Sequence, residues 1–320
     1  MLVLVDGFGS IGKKYVQMLG KLCDVHIYDP YINPSHCSLP SNCLFINELY
    51  SKSITYDYVF ICSPTGTHVD KLDFYQSVAK KILVEKPLAI SLNEVNKCQQ
   101  MIECNSKLSG KTVVSSPRRF STSLGILSGE YTDILKDAKS GFFRFSHSLR
   151  RMRGPKWRKN YIFDPDLMYR YPLAFDCIHE LDIASSIFGQ IESLEIITSK
   201  THISNTVDLH YSLHVNHHGG SKTFHTFDYN SDVKIREMNI VAECGTFSSF
   251  EIGKDSTNVL ISVCYDHDDG ISASHSNRQF VANDTSFEAQ FNHFIDSSFD
   301  IKHFSTLDDS LSISKALVNA

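Results

Sequence analysis

Three glycines at positions 7, 9 and 12 follow the apolar run Leu2 to Val5 and open an amphipathic stretch. In Gly7-Phe8-Gly9-Ser10-Ile11-Gly12 this spacing suits one kind of anion chemistry. Gly7 permits a tight turn, Gly9 lets the backbone approach a pyrophosphate, Gly12 lets helix and strand pack closely, and the helix N-terminus offers N–H donors. Asp29 ends the next apolar run, about 20 residues on, where a carboxylate accepts from both ribose hydroxyls and repels a 2′-phosphate. The combination points to a dinucleotide, NAD in preference to NADP, although Asp29 with Pro30 also reads as the start of a turn. Two further positions suit proton chemistry. Lys86 follows the apolar Ile82 to Val84 and precedes Pro87, which places its ammonium at the carboxyl edge of a sheet, able to stabilise charge developing on an oxygen. His179 lies between Asp176 and Asp182, and an imidazole, with an ordinary pKa of about 6.5, is the natural acid/base group. Asp176, three residues before His179, shares its helix face and can hold a substrate hydroxyl or sustain the charge on Lys86 and His179. A packed histidine and a surface lysine are the plainer readings of these two residues. Asp182 is read as structural.

The elements that must position these groups follow from apolar spacing. Leu2 to Val5, Val25 to Tyr28, Tyr58 to Cys62, Ile82 to Val84 and Thr112 to Val114 are continuous and β-rich, as strands buried on both faces should be. Ile11 to Leu22, His68 to Ala79 and Ser91 to Lys107 carry apolar residues at three- and four-residue spacing, with Ser91 and Glu94 as a capping box. The alternation predicts a doubly wound parallel sheet. From about Arg119 the pattern changes to a helical stretch near Ser121 to Lys136, a strand from Phe142, a basic loop and a helix around Phe175 to Phe188. Long antiparallel strands follow over Val207 to Val215, Phe224 to Phe227, Ile235 to Val241 and Val259 to Cys264, and Phe287 to Phe299 and Leu307 to Val318 close the chain as helices. The expected fold class is α/β, with a Rossmann domain over residues 1–118 and, over 119–320, an α/β domain for substrate binding and oligomerisation, built on an open, mostly antiparallel sheet.

Composition bounds the partners. With 31 Lys plus Arg against 36 Asp plus Glu, the 320 residues carry a net charge of -5, which argues against a general nucleic-acid binder. The nine cysteines are scattered without a CxxC pair, the pattern of a reducing cytoplasm, neither a disulfide framework nor a zinc ribbon. His210, His214, His217 and His218 do not share one strand face and have no Cys or carboxylate to complete a shell, so no metal is expected. No signal peptide or membrane span is read from the first residues.

These motifs resemble the glucose-fructose oxidoreductase and inositol dehydrogenase family, Gfo/Idh/MocA, over nearly the full chain. Cys62-Ser63-Pro64-Thr65-Gly66-Thr67-His68 is similar to the family loop beside the nicotinamide, and Ile82 to Leu88 is similar to its strand ending in Glu85-Lys86-Pro87. Pro117-Arg118-Arg119-Phe120, the segment Asp176 to Asp182, Asp228-Tyr229 and Glu243 to Thr246 resemble later family segments. The resemblance implies NAD(P)-dependent oxidation or reduction at a CH–OH group of a sugar, cyclitol or sugar derivative. Lys86, His179 and Asp176 would be catalytic, and the glycine loop, Asp29, Ser63, Pro64, Thr65, His68, Glu85 and Lys86 would form the cofactor site. It also implies a cis Lys86–Pro87 bond and a homodimer or homotetramer joined through the open sheet. The tract Arg144 to Lys159 holds seven basic residues and no acidic one, which suits a carboxylate, phosphate or nucleotide-linked sugar, or equally a solvated basic loop. A non-catalytic NAD-binding regulator of the same fold is the alternative function.

Overall fold

Apolar runs buried on both faces build the first sheet. In the computed structural model, which describes residues 1–48, 54–148, 151, 178–199, 202–204, 207–208, 210–253, 256–266, 273–296 and 299–320, the chain opens with β1 (Leu2–Asp6), α1 (Ser10–Leu19) and β2 (Asp24–Tyr28). There follow β3 (Cys43–Phe45), β4 (Tyr56–Ile61), α2 (His68–Tyr75), β5 (Ala79–Val84), α3 (Leu92–Cys104) and β6 (Thr112–Val114). The strands lie parallel in the order β6-β5-β4-β1-β2-β3. Helix α1 buries Gly12, Tyr15, Val16 and Leu19, the three- and four-residue spacing of one helix face. Helix α3 is capped as its sequence predicts. The Glu94 N–H donates to Ser91 Oγ at 3.3 Å, while Glu94 Oε2 accepts from the Ile90 N–H at 2.9 Å.

The second unit begins with α4 (Thr122–Glu130) and α5 (Thr132–Lys136), then β7 (Ala138–Ser146) and α6 (His179–Phe188). The single helix expected near 121–136 breaks at Tyr131, whose backbone is non-helical and whose buried ring packs on Phe247. The strands β8 (Ile191–Ser199), β9 (His202–Ser204), β10 (Val207–Asp208), β11 (His210–His217) and β12 (Lys222–Asp228) follow. Next come β13 (Ile235–Ala242), β14 (Gly245–Ile252), β15 (Ser256–Asp266), β16 (Ala273–Asn283) and α7 (Ser286–Ile295). Eight of them form one sheet, β16-β15-β14-β13-β7-β12-β11-β8, antiparallel throughout except at β7–β12, and β9 pairs with β10 as a separate hairpin. One face packs on the helices through Leu127, Ile134, Phe143, Ala184, Ile240 and Phe247. The fold class read from the sequence is the one observed.

The chain then returns. Strand β17 (Ser305–Thr306) adds antiparallel to the β6 edge of the first sheet, and from α8 (Leu307–Asn319) Leu307 and Leu311 enter the first core. The compact units are therefore Met1–Ser115 with His293–Ser314, and Ser116–Asn292 with Lys315–Ala320. The expected single division after residue 118 does not include this return, because a two-residue edge strand leaves almost no apolar pattern.

A buried polar chain crosses the second core. His217 Nδ1 lies 2.7 Å from the Gly189 carbonyl, His217 Nε2 2.9 Å from Thr223 Oγ1, and Thr223 Oγ1 2.9 Å from His225 Nε2. A carbonyl only accepts, so His217 carries its proton on Nδ1. The Thr223 hydroxyl then donates to His217 Nε2 and accepts from His225 Nε2–H. His225 Nδ1 is left as a bare lone pair, buried without a partner among the described residues. The His225 ring stacks on Phe143 and Phe227, and burial, reinforced by His217, pushes its pKa down to about 3.

Candidate active site

In the first unit the glycine loop is built on backbone constraints. Gly7 has φ +101°, and a Cβ there would lie 2.5 Å from the Cys62 backbone. A Cβ on Gly12 would come within 1.9 Å of the Gly7 carbonyl, whereas one on Gly9 meets nothing within 4 Å. Two glycines thus let loop, helix and strand close together, and the third leaves open space where a pyrophosphate can approach. Behind the loop, Asp6 is buried and pairs with Lys71 at 2.9 Å and with the Tyr75 hydroxyl at 2.5 Å.

Asp29 stands at the end of β2 and is tied to the same loop. One oxygen accepts from the Phe8 N–H at 2.8 Å and the other from the Tyr31 N–H at 3.0 Å. The turn reading of Asp29 and its proximity to the loop therefore hold together, and each oxygen keeps a further lone pair for a diol. The Phe8 side chain is buried edge-on against Phe45, so its backbone alone can serve a cofactor. Ser10 is exposed and Ile11 half-buried.

The loop after β4 and the segment after β5 are joined by one side chain. His68 is 1% exposed, with Nδ1 2.8 Å from the Pro87 carbonyl and Nε2 2.9 Å from the Ser63 carbonyl. Burial holds its pKa below the ordinary value although both carbonyls favour the charged form. Both ring nitrogens face inward, so His68 acts on the shape of the two loops, a role the sequence motif does not distinguish from cofactor contact. Thr67 Oγ1 sits 2.7 Å from the Pro64 carbonyl and 2.8 Å from Ser63 Oγ, fixing the turn that carries Thr65. The Lys86–Pro87 bond is cis. Glu85 accepts from the Tyr15 hydroxyl at 3.1 Å, and burial raises its pKa. Lys86 itself is half-buried. The open glycine, the acidic residue and the second loop expected to meet a dinucleotide thus lie on one unit.

In the second unit His179 is the first residue of α6. The helix is buried on nearly every side, and its two carboxylates are compensated. Asp182 accepts from Arg119 through Nε and Nη2, both at 2.8 Å, and from Ser116 Oγ, while Glu180 pairs with Arg236. Asp182 is structural, as its position one turn beyond His179 implies. These partners lie 56 to 66 positions apart in the chain, and no local pattern announces them. Asp176 lies outside the described residues, as do Arg150, Arg153, Lys156, Trp157, Arg158 and Lys159 of the basic tract. Of the rest, Arg144 bonds Ser146 Oγ at 3.1 Å and the exposed Arg151 bonds the Asp232 carbonyl at 2.8 Å.

Residues 2–112 match the family model GFO_IDH_MocA, described as an oxidoreductase family with an NAD-binding Rossmann fold. No curated protein sequence matches the chain. Among solved structures, it is similar to a myo-inositol dehydrogenase from Corynebacterium glutamicum, at 16% identity and TM-score 0.72 over 100% of this chain and 95% of that one. A levoglucosan dehydrogenase in complex with NADH aligns at 13% identity and TM-score 0.74, covering 100% and 96% of the two chains. The UDP-N-acetylglucosamine 3-dehydrogenase of Acidithiobacillus ferrooxidans aligns at 13% identity and TM-score 0.67, covering 100% and 95%. At these identities the structures establish the shared fold, and residues 2–112 are similar to the NAD-binding Rossmann domain of the Gfo/Idh/MocA oxidoreductases.

Proposed function

We propose that the protein is an NAD-dependent dehydrogenase or reductase acting on a CH–OH group of a sugar, cyclitol or sugar derivative. The observation that supports this most is the first unit's loop, with Gly9 open and Asp29 bonded to the Phe8 N–H. When bound, the nicotinamide supplies the hydride acceptor or donor. The chain supplies the rest. Lys86 holds the reacting oxygen and stabilises its negative charge, His179 takes or returns the hydroxyl proton, and Asp176 binds a neighbouring hydroxyl. The basic tract from Arg144 to Lys159 favours an acidic or nucleotide-linked sugar. The test is turnover on matched neutral and anionic sugars, with both cofactors.

NAD binds more tightly than NADP in this reading, because Asp29 repels a 2′-phosphate. Asp29→Asn is the informative variant, since it retains one oxygen acceptor while losing the charge. Titration by fluorescence should show the preference narrowing about tenfold, the scale of one charged hydrogen bond. Tighter NADP binding by the wild type overturns the assignment.

The small-molecule function is combined with self-association. On the sheet face away from the helices, Phe142 and Phe224 stack with centroids 5.9 Å apart, and Val241 and Leu260 are 46% and 45% exposed. We place a homodimer or homotetramer there. Light scattering at micromolar concentration should return a multiple of 36.2 kDa, and a monomer contradicts it. The eight described cysteines are free thiols. Among the described residues no helix is long and apolar enough to cross a membrane.

A further inference from the structure

The buried ring of His68 faces two acceptors. Its Nδ1 lies 2.8 Å from the Pro87 carbonyl and its Nε2 2.9 Å from the Ser63 carbonyl. Among the described residues neither carbonyl has another hydrogen-bond donor. A carbonyl only accepts, and a neutral imidazole carries one N–H, so either neutral tautomer sets a bare nitrogen lone pair against a carbonyl oxygen. The imidazolium, with two N–H groups, makes both bonds.

Burial of the ring works against the second proton and is the largest influence on it, while the two carbonyls, then Glu94 of α3 and Asp6 at the end of β1, work for it. Lys71, three residues on in α2, is paired with Asp6 at 2.9 Å. Because burial prevails, the free protein holds the second proton only below the ordinary histidine value of about 6.5. As pH rises past that point the second N–H is lost, two lone pairs face each other, and one of the contacts must open. These contacts join two pieces of one site. Ser63 begins the turn that Thr67 fixes and that carries Thr65, and Pro87 follows Lys86. The ring therefore sets the separation between the loop expected beside the nicotinamide and the segment bearing Lys86.

We propose that His68 is a positioning residue that works as a proton-operated clamp: with both ring nitrogens protonated it holds the Ser63 loop and the Lys86–Pro87 segment together in the form that binds NAD, and with one proton it releases one of them. The proposal rests on the NAD reading and is independent of the sugar. A site already closed up loses less freedom on binding, so NAD prefers the clamped form, and by linkage its binding draws a proton from solvent onto His68.

The test uses the full chain with NAD alone. Titration calorimetry in two buffers of different ionisation enthalpy counts the protons bound with NAD. The wild type should take up protons at about pH 6 and bind NAD about fivefold more tightly at about pH 5.5 than at about pH 8, the low end of coupling between sites. In His68→Gln, whose amide donates at any pH, both effects should disappear while NAD still binds. Nitrogen-15 NMR of the NAD complex should show the His68 ring doubly protonated at about pH 5.5 and singly protonated at about pH 8. Equal proton uptake by wild type and variant, or a His68 ring in one protonation state at both pH values, overturns the proposal. Should His68→Gln fail to fold, the wild-type spectra, assigned through the backbone, still decide it. A wild type that shows these effects yet oxidises no sugar supports the clamp and overturns only the reaction proposed above.

Discussion

Lys86→Met lowers turnover roughly 10²- to 10⁴-fold while folding and NAD affinity stay at wild-type levels, and His179→Gln does the same, the range for losing a charge stabiliser or a proton-transfer group. The expectation of intact folding comes from how the two residues are mounted. Lys86 lies two residues past a strand whose Ile82, Leu83 and Val84 are fully buried, and the segment that carries it is fixed by the bond between His68 and the Pro87 carbonyl. The Glu85 N–H bonds the Ile61 carbonyl at 2.9 Å. A methionine keeps the stem volume and all of these backbone contacts, and removes only the ammonium. His179 begins a helix held by the Asp182–Arg119 and Glu180–Arg236 pairs, so glutamine in its place does not release the helix. The measurements are NADH-linked turnover on the best sugar found and cofactor titration by fluorescence. Near-normal turnover in either variant removes that residue from the mechanism.

The largest stability effect is expected in acid. His225 has a pKa of about 3 in the folded protein against 6.5 for the free side chain. Between these values the unfolded chain binds the extra proton and the folded one does not, so stability rises with pH across the window and is lost as pH falls from about 6.5 toward 3. His217 is shifted downward by burial as well and acts in the same direction. At about 1.36 kcal/mol per pH unit, His225 alone removes about 2–3 kcal/mol between pH 7.5 and 4.5. The molecular reason is the bare Nδ1. Protonation there creates an N–H with no acceptor, on a charged ring stacked against Phe143 and Phe227. Denaturant unfolding at the two pH values should therefore show a smaller acid loss for His225→Phe than for the wild type. Equal losses in the two proteins sink this account.

How much of this could be read from the chain depends on the range of each interaction. The glycine loop, Asp29 and the parallel strands are local patterns, and they stand where the spacing places them. Strand β16 is different, since Ser274 to Gln279 are exposed and only Phe280 and Ala282 near its end pack on the core, too short an apolar alternation to detect. Phe8 and His68 were expected at the cofactor because a motif gives position in the chain but not the direction of a side chain. Their inward orientation depends on Phe45 and on the Pro87 carbonyl. The ion pairs around α6 join residues scores of positions apart and become visible only in three dimensions.

The return of residues 293–314 to the first unit has a consequence for the order in which the protein can mature during synthesis. Residues 1–115 leave the ribosome before their edge strand exists, so β6 emerges with Val113 and Val114 lacking the hydrogen-bonding partner that Ser305 and Thr306 later provide. The places that Leu307 and Leu311 fill in the core stay open for as long. The nucleotide-binding half, although made first, is thus finished last, and a nascent chain holding an open strand edge and an incomplete core is the form most exposed to wrong pairing with its neighbours on a polysome.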